Sequence, residues 1–201
     1  MSWDKVVKSA ALSTLAAVGL LLAFMLSALS LIFPSTLMKM SYKLGMDKSS
    51  ISFATTAYER TGEVYYIAYA TEVAIGSDME KKIVSCGESF ISDDEFASYC
   101  ERENKNLPAD ATGTYEQYVY TQVCVAMYEL GNKDAAVMRA FELVGNGFPR
   151  NNPVAALVVM ANKESDTQTV HKIKGSLENL QKAELSEVDT AYLTEILAFI
   201  G

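Results

Sequence analysis

The chain has one histidine, one tryptophan, four prolines and three cysteines in 201 residues. Each scarcity removes a class of function. A lone imidazole, His171, with no cysteine or carboxylate at metal-ligand spacing, gives no zinc site, and it reads as a surface or half-buried histidine. Cys86, Cys100 and Cys124 form no CxxC pair and their number is odd, so neither a redox motif nor a disulfide framework is implied. Small buried hydrophobes on helices are the simpler role for them. Neither GxGxxG nor GxxxxGK[ST] occurs, which leaves a nucleotide without a phosphate cradle, and no GxSxG marks a nucleophile. Asp93, Asp94 and Glu95 lack the alternating ligands and internal glycine of a calcium loop and read as a helix start. No cofactor, no metal and no catalytic residue is therefore expected, and the chain reads as a non-enzyme. Positive charge is also short: 17 Lys and Arg against 25 Asp and Glu give a net charge of −8, which argues against nucleic-acid binding.

What is abundant is uncharged apolar sequence near the amino terminus. Ala10 to Phe33 runs for 24 residues without a charge. As a helix it would reach roughly 36 Å, more than the ~30 Å hydrocarbon core of a bilayer. The tail ahead of it, residues 1–9, carries Trp3, Lys5 and Lys8, side chains suited to headgroups. A secretory signal would have a shorter apolar core, so the expectation is an uncleaved, single-pass signal anchor over residues 10–33 with the domain outside the cytoplasm. Gly19, Ala23 and Ser27 recur every fourth residue and form a small-residue stripe, along which another transmembrane helix could approach.

Residues 35–201 show apolar positions at helical spacing and almost no strand signal, so the fold class is all-α. Helices are expected at 63–75, 79–91, 93–104, 114–130, 133–144, 154–162, 167–182 and 187–200, after two shorter ones ahead of Gly45 and Gly62. Asp47, Ser92, Asp166 and Ser186 are candidate caps. Residues 104–113 and 145–153 read as loops.

Three stretches, LGMDKSSISFATTAY, IGSDMEKKIVSCGESF and LGNKDAAVMRAFELV, each place an apolar-Gly turn between short helices. In the last, Tyr120, Val123, Cys124 and Met127 precede the turn and Ala136, Ala140 and Leu143 follow it. In the first, Leu37, Met38 and Ser41 precede, and Ser50, Ala54 and Ala57 follow. The pattern resembles the tetratricopeptide family of helical-hairpin repeats. It departs from that family in its turn spacing of 31 and 55 residues, in Lys81 and Lys82 where a small residue belongs, and in having no repeat tryptophan. The resemblance covers residues 35–150 and implies a degenerate solenoid, closed by the last helices as a cap; an irregular helical bundle is the alternative.

Tyrosine crowds the middle of this domain, and so many hydroxyls cannot all find partners in one small core. In the repeat register, Tyr66, Tyr118, Thr121 and Tyr128 fall on the concave side, which makes them the candidate protein-binding residues. The resemblance implies a membrane-anchored adaptor or scaffold that binds another protein or peptide. The alternative is an accessory subunit of a larger membrane complex, docked through the Gly19, Ala23, Ser27 stripe.

Overall fold

The computed structural model describes residues 3–106, 113–142, 153–180 and 187–200. Among these it is all helix, with eleven helices and no strand. The expected loop over 145–153, Leu143 and the candidate cap Ser186 lie almost wholly outside the described residues.

The first helix, α1 (Trp3–Ile32), joins the tail from Trp3 onward and the apolar run as far as Ile32 in one piece of 30 residues. Every side chain from Ala11 to Met25 is exposed. Among the described residues no helix is long and apolar enough to cross a membrane.

After Phe33 the chain forms four hairpins: α2 (Pro34–Lys43) with α3 (Asp47–Thr61), α4 (Val64–Gly76) with α5 (Glu80–Ile91), α7 (Tyr115–Glu129) with α8 (Lys133–Phe141), and α9 (Pro153–Lys163) with α10 (Thr167–Leu180). α6 (Phe96–Asn104) is inserted between the second and third, and α11 (Glu187–Ile200) follows the fourth.

One device makes all four turns. A residue with positive φ follows the first helix: Gly45 (68°), Asp78 (48°), Gly131 (83°) and Ser165 (57°). In each case its N–H donates to the carbonyl three residues back, at 2.9, 3.2, 2.9 and 3.1 Å. The next N–H donates to the carbonyl five residues back, Met46 to Ser41, Met79 to Ala74, Asn132 to Met127 and Asp166 to Ala161. These paired bonds satisfy carbonyls that a helix end would otherwise leave open, the Schellman arrangement. A third shared bond starts the returning helix, Ser50 to Met46, Ile83 to Met79, Ala136 to Asn132 and Val170 to Asp166.

The four turn residues lie 33, 53 and 34 residues apart. This corrects the sequence register in two places. The second turn is at Asp78, and Gly76 is the last residue of α4. The position assigned to Lys81 falls on Ile83, which is buried, while Lys81 and Lys82 are exposed. The second correction concerns α9 and α10, expected as part of a cap. They repeat the turn of α7 and α8, at Ser165, where no glycine signals it.

Packing is between neighbours: α2 on α3, α3 on α4, α4 on α5, α5 on α7, α7 on α8 and α9, α8 on α9 and α10, and α10 on α11. α6 lies against α7 and α4. Counted back from each turn, equivalent positions supply the core. Ile67, Ala70, Thr71 and Ala74 of α4 match Tyr120, Val123, Cys124 and Met127 of α7 and Val154, Leu157, Val158 and Ala161 of α9, all buried. Small residues mark the closest crossings. A Cβ on Gly87 of α5 would stand 2.3 Å from Val123 Cγ2 of α7.

Other expectations resolve locally. Asp47 is the first residue of α3 and makes no cap bond; its carboxylate accepts from Ser77 Oγ at 2.8 Å, joining the first two turns. α6 begins at Phe96, three residues later than expected, and the Asp93 carboxylate ahead of it accepts from Glu95 N–H and from the Tyr58 hydroxyl at 2.7 Å. Thr114 and Gln117 form a capping box on α7. The three cysteines are free and buried, and His171 is exposed.

Candidate binding groove

α7 and α9 are the first helices of consecutive hairpins and lie side by side. Between them runs an open groove of about 750 Å³. Its walls repeat. Thr121 and Ala155, Gln122 and Ala156, Val125 and Val159, Glu129 and Lys163 all line it, and each pair is 34 residues apart. Two turns of the same geometry at the same separation carry the same helix faces to the same surface. The floor is apolar at Val125, Val159 and Met160, and Val159 is 56% exposed. The rims carry Glu129, Lys163 and Glu164.

Tyr118 and Thr121 of the sequence-predicted set lie on this groove, Tyr118 with 44% of its surface exposed. Tyr66 and Tyr128 do not face it, which corrects their assignment to the concave side. Tyr66 is 8% exposed and packs edge-on against Tyr65. The reason is the slipped turn: placing it at Gly76 shifts α4 by two residues, which rotates the presented face by about 200°. In the observed register the counterpart of Tyr118 is Tyr65, thirteen residues ahead of Asp78.

Tyr128 is 1% exposed because it ties two turns together. Its hydroxyl donates to Asp166 Oδ2 at 3.0 Å, where Lys133 Nζ (2.6 Å) and Thr169 Oγ1 (2.8 Å) also donate. The Lys133 ammonium stands 4.6 Å from the Tyr128 ring centroid. Lys133, with the Thr169 hydroxyl and N–H, holds the Asp166 carboxyl well below the usual carboxylate range. The same bond raises Lys133 to about 12.

A line of rings leads from the groove toward the second hairpin: Tyr118, Tyr115 and Tyr99, with centroids 6.3 and 6.2 Å apart. The Tyr115 hydroxyl donates to Glu72 Oε1 at 2.5 Å. Crowding by protein raises the Glu72 carboxyl, against the lowering effect of that bond. Burial first, and Glu72 second, push the Tyr115 hydroxyl up. All of these phenols are protonated donors at neutral pH, suited to holding polar atoms and not to exchanging protons. Among the described residues no group of three metal-ligating side chains occurs.

Gly19, Ala23 and Ser27 lie on exposed positions of α1, and Ser27 Oγ donates to Ala23 O at 2.9 Å. A Cβ on Gly19 would meet nothing within 4 Å, so the stripe faces no other part of the chain there.

The residues that sequence reasoning missed are those of α9, together with Gln122, Val125 and Glu129 of α7. The available signal was the 34-residue step from Gly131 to Ser165. It was hidden because a serine occupies the left-handed position. The chain matches no protein-family model, no curated protein and no solved structure.

Proposed function

We propose that the chain is a membrane-anchored adaptor, not an enzyme, which holds a segment of another protein in the groove between α7 and α9. The observation that carries this reading is the groove's repeated lining, four pairs of residues at a 34-residue step. That step is the period of tetratricopeptide repeats, whose stacked first helices form an extended concave binding face. The apolar floor with charged rims has the composition of a protein-recognition surface. The second hairpin extends the same side with Tyr65 and Tyr69 of α4, ring centroids 6.3 Å apart.

The anchor is part of the proposal and rests on the sequence, the uncharged run Ala10–Phe33, with the exposure of Ala11–Met25 in support. Tethering would raise the effective concentration of the groove toward partners at the same membrane. The Gly19, Ala23, Ser27 stripe keeps a second reading open, an accessory subunit docked through α1.

Ala156→Trp tests both. Ala156 is a half-exposed groove residue on α9, and an indole there fills the groove without entering the core. A partner that co-purifies in mild detergent should be lost from this folded variant and kept by Gly19→Leu. Loss only on Gly19→Leu would replace the adaptor reading with the subunit one.

A further inference from the structure

We propose that the outer face of the first hairpin seats on an anionic bilayer surface, so that lipid closes the amino-terminal end of the stack. The proposal rests in part on reading α1 as a membrane segment.

In α9 the residues nine, five and one before the turn, Ala156, Met160 and Glu164, line the side shared with α7, the first helix of the preceding hairpin. The same positions in α2 are Thr36, Met40 and Leu44, counted back from Gly45. A single helix, α1, comes before α2 in the chain. Although α1 touches α2 and α3, it leaves Met40 53% and Leu44 70% exposed. Ile32, Phe33 and Met46 are exposed beside them in the chain. The end of a repeat stack ordinarily carries a polar face. This end is apolar and continuous in the chain with the uncharged surface of α1.

Charge identifies the cover. Lys39, Lys43 and Lys48 are all exposed on this hairpin. The one acid between Asp4 and Glu59 is Asp47, whose carboxylate is engaged by Ser77. Residues 34–58 thus carry three lysines against one aspartate, a charge of +2, while residues 59–201 carry 12 basic against 23 acidic side chains, a charge of −11. An anionic headgroup layer attracts the first hairpin and repels everything beyond it. Apolar side chains that reach the acyl boundary, flanked by lysines that reach phosphates, are the means by which interfacial segments bind such layers. A soluble acidic partner would match the lysines but would leave Met40 and Leu44 without apolar contact.

The test uses the full chain reconstituted in phosphatidylcholine vesicles with and without phosphatidylglycerol. An environment-sensitive fluorophore is attached at Leu44→Cys, at Leu22→Cys in α1, or at Lys105→Cys far along the chain; the native thiols are buried and stay unlabelled. Lipid-borne quenchers read contact with the bilayer. The label at 44 should be quenched, more strongly with phosphatidylglycerol, and the label at 105 should not. Lys43→Gln and Lys48→Gln should each shift the docked fraction about fivefold toward release, as expected for one lysine at an anionic surface. Lys39 is left in place because it stands over the Tyr65 ring. Quenching at 22 with a water-exposed label at 44 overturns the proposal and keeps the anchor. Quenching at 44 alone keeps the seat and removes the anchor. A label at 44 shielded from water yet untouched by lipid quenchers means that a second copy or another protein covers this face, and also overturns it.

Discussion

The left-handed turn residues show how much one side chain decides here. At Ser165, φ of 57° brings Cβ close to the following carbonyl, a strain of roughly 1–2 kcal/mol that glycine escapes. Glycine offsets part of that gain by its larger freedom in the unfolded chain. Ser165→Gly should therefore stabilise the protein by about 0.5 kcal/mol, and Gly131→Ala should destabilise it by about 1–2 kcal/mol. Urea midpoints of the two variants check this; equal midpoints would mean that turn strain has no weight. Asp166 sets an acid limit. Its carboxyl titrates lower in the folded state than in the unfolded one, held down first by Lys133 and then by Thr169. Its contribution is complete above the unfolded value near ~3.9 and is lost as pH falls toward the folded value. Lys133 is raised to about 12, so its share is complete below ~10.4 and disappears as pH rises through 12. Asp166→Asn should flatten both limbs of the stability-pH curve. A variant curve parallel to wild type between pH ~5 and ~2 would remove Asp166 from the account.

Among the elements, helix existence and type were legible in the sequence because apolar spacing and caps agree locally. α4 and α7 differ from expectation by one residue at each end, and α5 by one residue at its start. Register was less legible. Asp78 and Ser165 adopt a conformation that is read most easily from glycine, and the nearby Gly76 offered a false turn. From that slip followed the assignment of Tyr66 to the concave side. The 53-residue gap between the second and third turns was opaque for a different reason: α6 is inserted there. α6 is fixed by Phe96, whose ring is 4.8 Å from Phe90 of α5 and 6.0 Å from Tyr120 of α7. Where α5 meets α7 directly, Gly87 permits a close approach. Gly87→Val must push Val123 aside or separate the helices. A cost of about 1–3 kcal/mol is expected from such overpacking, measurable as a lower urea midpoint with helix content kept.

For the whole molecule, neighbour-to-neighbour packing has a consequence for how stability is shared. In a helical stack each hairpin is held by its own core and by the hairpins on either side, so damage in one place need not be transmitted to the far end. Leu157 of α9 is fully buried, and Leu157→Ala should cost about 2–5 kcal/mol locally. Amide exchange should accelerate over α9 and α10, rise less in α7 and α8, and remain slow in α3 and α4, which pack mainly on each other and on α2 and α5. Equal acceleration at both ends would describe one cooperative core and would remove the physical basis for treating the groove as a repeat surface. A graded response would leave the α7 and α9 groove and the first hairpin energetically separable, so that an occupant of the groove and a membrane under Leu44 could each be gained or lost without the other.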